Sequence, residues 1–206
     1  MFSLGKEIIK WLNKPRSWWI DESRWIPKEI AETVRQHSKK VEKAAVIYGK
    51  HFPHLDQEIM RKMAKYHDLA EYKEEDYKPW EISKEEKHQR EKVVMLEIQS
   101  ALWWQWDEIF DIWMEHEESI SETALLITQL DKLDAAIQAL EYEKMWYNVT
   151  EFYDYTLKKL LDPILIRILK ILLDKPYPHI DSYKQYFFLL QHSGNEKLFH
   201  QEMKKH

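Results

Sequence analysis

The sequence predicts an all-α, single-domain helical bundle, and three observations carry that reading. Glycine occurs only 3 times in 206 residues, too few for tight hairpins, which depend on it where φ is positive. Apolar residues recur three and four apart over long stretches, the spacing of a helix with one buried face. The polar segments between those stripes carry capping residues, and prolines at positions that start helices.

Element by element, Ile8, Ile9 and Leu12 predict an opening helix cut at Pro15, followed by a Trp- and Arg-rich connector from Arg16 to Trp25. Pro27 suits a first helical turn, where its missing N–H needs no partner. The helix it opens carries Ile30, Val34, His37, Val41, Ala44, Ala45 and Tyr48 on one stripe and stops near Gly49. Leu55 to Lys73 reads as the next helix, with Asp56 as N-cap and Ile59, Met63, Tyr66, Leu69 and Ala70 inward. Residues 74–82 form a polar loop broken by Pro79. Ser83 with Glu86 is a capping box for a helix to about Trp106, and another helix covers Asp107 to Glu117. From Ser121, the residues Ala124, Leu125, Ile127, Leu130, Leu133, Ile137 and Leu140 make a long helix with Asp131 inside it. Further helices are expected near Glu151–Asp174, interrupted at Pro163, and over Ser182–His192.

Composition narrows the function. A net charge of −5 gives no general attraction to nucleic acid. Residues 1–43 nevertheless hold ten Lys or Arg against six acids, enough to help place a phosphate. No run approaches the roughly 18 uncharged residues that span a bilayer, and Lys6, Lys10 and Lys14 interrupt the one apolar run near the start, so no signal peptide is read. The chain is expected to be cytoplasmic, with no membrane partner. Cysteine is absent, so a metal would have to use histidine and carboxylate.

The chemistry concentrates in Met63-Ala64-Lys65-Tyr66-His67-Asp68-Leu69-Ala70-Glu71. In a helix, Glu71 shares a face with both His67 and Asp68. An imidazole and a carboxylate from adjacent residues can hold one divalent metal, with the second carboxylate in reach of activated water. Two further stretches supply candidate ligands, Glu32 to His37 upstream and Gln129 to Asp134 downstream. His37 points inward with Val34 and Val41. Asp131 sits between Leu130 and Leu133, where an unpaired carboxylate would cost several kcal/mol and a metal would remove that cost. Asp134, one turn on, is the rival ligand.

The order His, then His-Asp, then Asp resembles the HD-domain metal-dependent phosphohydrolases. Asp76-Tyr77-Lys78-Pro79 is similar to that family's Gly-Asp-x-x-Pro segment, with Glu75 where glycine is usual. The run from Lys84 to Glu91 and the stretch from Gln129 to Glu143 resemble one branch, the HD-domain 5'-deoxynucleotidases. The resemblance covers roughly residues 12–145 and implies an HD fold with a metal-site core at about 27–145 and C-terminal helices at about 150–206. It implies one divalent transition metal (Mn, Co, Ni, Zn or Fe) on His37, His67, Asp68 and Asp131, with Glu71 moving the proton. It implies that Asp76 accepts a hydrogen bond from a sugar hydroxyl. Pro15-Arg16-Ser17-Trp18-Trp19 resembles the family's Pro-Arg-Thr-Gly-Trp, which implies Arg16 on the substrate phosphate and Trp19 as a wall beside the sugar. Arg24-Trp25 is the alternative pair. Trp113-Met114-Glu115 resembles a Trp-x-Glu pattern, which puts Glu115 near the metal. His88 and His116, set in charged runs, are read as solvated, which favours one metal over two. The implied activity is hydrolysis of nucleoside 5'-monophosphates, preferably deoxyribonucleotides, by a homodimer. The alternatives are another HD phosphohydrolase, acting on a triphosphate, cyclic nucleotide or dinucleotide, and a catalytically silent HD scaffold.

Overall fold

The computed structural model describes residues 8, 10, 12–22, 24–73, 82–102, 106–174 and 179–204. Helix α5 (Glu122–Lys144) runs through the middle of the molecule and is buried at every position from Leu133 to Leu140. Around it pack α1 (Val34–Tyr48), α2 (Gln57–Tyr66), α4 (Asp107–Glu118), α6 (Glu151–Lys159), α7 (Pro163–Leu173) and α8 (Ser182–Gln191). Helix α3 (Lys84–Leu102) leans on α4, and α9 (Glu196–Met203) leans on α8. One core joins Trp18 and Trp19 near the start to Leu189 and Leu190 near the end. Each fully buried Leu or Ile in it contributes about 1.5–3 kcal/mol. A smaller cluster of Leu69, Ala70, Met95, Ile98 and Trp113 seats α3 and α4 against the segment after α2. Among the described residues, no helix is long and apolar enough to cross a membrane.

Local signals set most helix starts. The Asp56 carboxylate accepts from the Glu58 and Ile59 amides at 2.9 and 3.0 Å, and Ser121 Oγ accepts from the Ala124 amide at 3.0 Å. Asp162 caps α7 with Pro163 in its first turn. The Ser83 hydroxyl accepts from the Glu86 amide at 3.1 Å, half of the expected box, because the Glu86 carboxylate turns to Arg90 instead. Gly49 lets α1 and α2 cross closely, since a Cβ there would lie 2.6 Å from both Gln57 Oε1 and Met60 Sδ.

Two boundaries differ from expectation, and both shape the site. Helix α1 begins at Val34 rather than near Pro27. The Arg16 amide donates to the Glu32 carbonyl at 2.8 Å and Pro15 bridges to Thr33, which keeps Glu32 and Thr33 out of helical geometry. Thr33 and Gln36 then close a full capping box at 3.2 and 2.8 Å. The second helix stops at Tyr66, and residues 69–72 form a 3₁₀ turn. Residues three apart eclipse one another in a 3₁₀ turn, so Glu71 is stacked over Asp68, and its amide donates to the Asp68 carbonyl at 3.2 Å. The α9 helix was not expected.

Candidate metal centre and its cleft

Four donor atoms from three segments meet where α1, the α2–3₁₀ junction and α5 come together. His37 Nε2 lies 3.0 Å from Asp131 Oδ1, 3.5 Å from Asp68 Oδ2 and 3.3 Å from His67 Nε2. His67 Nε2 lies 3.3 Å from Asp68 Oδ2 and 3.7 Å from Asp131 Oδ1. Ligands held about 2.0–2.2 Å from one ion stand roughly 3.0–3.6 Å from each other, which is the spacing observed.

The other nitrogen of each imidazole decides what the site is for. His67 Nδ1 is 2.8 Å from the Ala64 carbonyl, and His37 Nδ1 is 2.8 Å from Asp134 Oδ2. Both carry their proton on Nδ1 in the neutral ring, so both Nε2 lone pairs point into the same space as two carboxylate oxygens. Extra protons on the rings or a bound cation relieve that arrangement, and these residues can hold a divalent metal. His37, His67 and Asp131 bring their donors within 4.8 Å of one another, as do Glu32, His37 and Asp134. The second set is a weaker candidate, because Lys40 already neutralises Glu32 at 2.8 Å.

Both Asp131 and Asp134 are inward, and they divide the work. Asp131 faces Nε2, whereas Asp134 is fully buried behind the ring and fixes its tautomer. Removing such a carboxylate commonly weakens metal affinity 10- to 100-fold. Asp134→Asn is therefore expected to lower affinity by about that factor with the fold retained, as read by chelator competition alongside circular dichroism. Unchanged affinity would reduce Asp134 to a packing residue.

Charge is tightly coupled here. Burial, and next the Arg16 guanidinium, pull the His37 imidazole down, but hydrogen bonds to Asp131 and Asp134 outweigh both and raise it to about 9. Burial also opposes the His67 charge, yet Asp68 and Asp131 hold that ring well above its usual range. Burial pushes both carboxyls up, while the imidazoles hold Asp68 and Asp131 below the ordinary carboxylate range.

The connector delivers Arg16. Pinned by its amide to Glu32, whose own amide donates to Tyr142 Oη on α5 at 2.7 Å, Arg16 is buried with Nη2 3.6 Å from Asp68 and 3.9 Å from Glu71. Its guanidinium lies over the Trp18 ring at 4.2 Å, and Trp18 lines the cleft. Trp19, expected as the wall, is instead fully enclosed, packed against Tyr142 and Phe152 with its Nε1 3.4 Å from Glu32. Both indoles pack on Phe152, at 5.5 Å for Trp18 and 4.5 Å for Trp19, and Trp19 alone is also covered by Tyr142. Arg24 is a strut: it donates to the Trp18 carbonyl at 2.7 Å and pairs with Glu151, while Trp25 is exposed. Asp76 lies outside the described residues.

The cleft over these groups encloses about 510 Å³ and is lined by residues that include Arg16, Trp18, His67, Asp68, Glu71, Asp131, Phe152 and Tyr155. Glu71 is buried, with Lys87 Nζ 3.8 Å from its carboxylate. Beyond it lies a cluster not apparent in the sequence. His116 is buried rather than solvated, its ring centroid 5.6 Å from that of His67 and its Nε2 3.3 Å from Thr128 Oγ1. His88 stacks on Trp113 at 5.9 Å. Glu117, not Glu115, reaches the cleft, meeting His116 at 3.5 Å and His88 at 3.6 Å. Burial raises the Glu117 carboxyl, but His116 outweighs it and holds it low. Burial pushes buried Glu91 up to about 7 although Lys87 lies 3.3 Å away.

Known proteins are similar to this chain. The HD domain family profile matches residues 14–163. The 5'-deoxynucleotidase HDDC2 of Dictyostelium discoideum is 31% identical over 160 residues, covering 72% of this chain and 84% of that protein. The 5'-deoxynucleotidase HDDC2 of Homo sapiens is 30% identical over 159 residues, 75% of each chain. Among solved structures, a conserved hypothetical protein from Pyrococcus furiosus superposes with a TM-score of 0.66 at 23% identity, over 84% of this chain and 99% of that one, and shares the fold. Matched across most of its length and built around the His, His-Asp, Asp donors, this chain belongs to the HD-domain family.

Proposed function

We propose that this protein is a metal-dependent 5'-deoxynucleotidase, releasing orthophosphate from nucleoside 5'-monophosphates with preference for the deoxy sugar. The observation that carries the reading is the meeting, at the base of one cleft, of four metal donors, a buried guanidinium and a buried carboxylate. Relatives that carry the 5'-deoxynucleotidase name match over most of the chain. His37, His67, Asp68 and Asp131 hold one divalent transition metal, of the set that accepts mixed nitrogen and oxygen ligands. Bound there, such an ion would supply Lewis acidity for phosphoryl transfer to water.

The remaining steps belong to the side chains. Arg16 presents its planar fork to the phosphate dianion, held in place by its amide bond to Glu32 and its seat on Trp18. Glu71 takes the proton from the attacking water and returns it to the leaving 5'-oxygen. Trp18, Phe152 and Tyr155 give the sugar and base an aromatic wall, and Asp76 accepts from a sugar hydroxyl. Residues 1–206 act as one domain, supported by the core shared from Trp18 to Leu190. The protein works in the cytoplasm as a homodimer, a state that sedimentation of the purified protein reads directly.

A nucleotide panel with the metal-loaded protein tests the activity. Orthophosphate from dAMP supports it, while pyrophosphate or triphosphate release from triphosphates alone points to another HD phosphohydrolase. No turnover of any nucleotide points to a silent scaffold. A guanidinium fork on phosphate contributes about 1.5–3 kcal/mol, so Arg16→Ala is expected to cut kcat/KM by about tenfold to a hundredfold with metal still bound. Trp18→Ala is expected to narrow the dAMP-over-AMP preference. If Trp19→Ala narrows it instead, without unfolding, the wall has been assigned to the wrong indole.

A further inference from the structure

Three lysines of the cleft take no part in the chemistry above. Lys84 opens α3, Lys132 follows Asp131 on α5, and Lys159 closes α6, and all three line the cleft. The three come from three different helices, so three ammonium groups face one cleft. The other charges of the cleft are already matched. Arg16 faces Asp68 and Glu71, and Lys87 faces Glu71 and Glu91. Asp131 meets both imidazoles, and Glu117 meets His88 and His116. Among the described residues, no carboxylate stands within ion-pairing distance of Lys84, Lys132 or Lys159.

Gathering like charges in a concave site costs Coulomb energy that a bound anion returns. The scissile phosphate does not account for all of it, because that dianion already has Arg16 and a divalent ion to meet. Position argues the same way. Lys132 Nζ donates to the Thr128 carbonyl at 3.3 Å, which draws its ammonium back along α5. Thr128 lies about one helical turn, roughly 5.4 Å, before Lys132. On a nucleotide, a 3'-phosphate is the second phosphate that stands across the sugar from the scissile one, so it is the one that leaves the 5'-phosphate on Arg16.

We propose that Lys84, Lys132 and Lys159 form a second phosphate subsite beside the catalytic one. The phosphate it takes is either a 3'-phosphate on the nucleotide itself or the orthophosphate that hydrolysis releases. The inference rests on the nucleotidase reading for the identity of the first phosphate.

The test uses the full-length, metal-loaded protein and the double variant Lys84→Gln/Lys159→Gln. Both residues are exposed, and Lys132 is left intact because it adjoins a proposed ligand. Release of the 5'-phosphate is measured from a deoxynucleoside 5'-monophosphate and from the matching 3',5'-bisphosphate. The parent is expected to favour the bisphosphate by about tenfold in kcat/KM, the scale of one or two charge-assisted contacts, and the preference should shrink with added salt. The double variant should bring the ratio near unity while monophosphate turnover stays within about twofold, the scale of an uninvolved surface charge. A ratio that is near unity in both proteins, together with orthophosphate inhibition weakened about tenfold in the variant, assigns the subsite to the free ion. Equal loss on both substrates, or no change in either ratio or inhibition, overturns the proposal. If the parent hydrolyses neither nucleotide, the nucleotidase reading has failed. Calorimetric titration of both proteins with the bisphosphate and with orthophosphate then reads the subsite alone, and equal affinities overturn it.

Discussion

Asp68→Ala and His67→Ala are each expected to remove metal and activity together. Each takes one of four donors and leaves three buried polar partners facing one another without the charge that balances them. Partial rescue by the surviving ligands is limited, since Asp68 also meets Arg16 at 3.6 Å and its loss removes one of the carboxylates that face that guanidinium. Activity should fall to background, and metal analysis after gel filtration should find well under one ion per chain. Full metal retention in either variant would show that the ion sits elsewhere. The pH dependence follows from the same contacts. With metal stripped, His37 is raised from about 6.5 to about 9, so its pairing with Asp131 and Asp134 stabilises the fold fully below about 6.5. That contribution is lost as pH rises through about 9. Bound metal takes over the role of those protons, so the thermal shift that metal produces should grow as pH rises between those limits. A shift that shrinks over this window would contradict the assignment of His37.

Glu71→Gln is expected to keep the metal and lose at least about a hundredfold in kcat, the usual scale for a general acid–base group. The amide preserves the size of a buried side chain and its place above Asp68 on the 3₁₀ turn, so the loss reports on the proton rather than on folding. Arg16 and Lys87 both approach this carboxylate within 4 Å. Glutamine gives up those attractions as well, so KM should be followed alongside kcat. A kcat near that of the parent would return Glu71 to the role of an ion-pair partner and leave another cleft group to move the proton.

The sequence made the helices legible where their signals are local. Asp56, Ser121 and the Asp162–Pro163 pair each cap a helix through contacts within three residues. His37 was visible because it interrupts an apolar stripe. The misplaced start at Pro27 came from a contact no local rule contains, the bond from Arg16 to Glu32 across the connector. Asp131 and Asp134 could not be ranked from spacing, since both point inward, and only the ring nitrogen each one meets separates them. His116 reads as solvated, and Glu117 goes unremarked, for a related reason. Their neighbours in sequence are acidic, but Ile112, Trp113 and His116 form the buried face of α4, which turns them toward the cleft. Trp18 carried no signal at all, because it occupies a place where the resembling pattern has glycine.

The strut between Arg24 and Glu151 changes what the last quarter of the chain is for. Phe152, Tyr155 and Lys159 on α6 line the cleft, and Glu151 on the same helix holds the arginine that supports Trp18. Helix α6 therefore closes one side of the cleft over the candidate metal donors. A transplant of residues 14–145 alone would carry the four donor residues, Arg16 and Glu71 without the wall that α6 supplies.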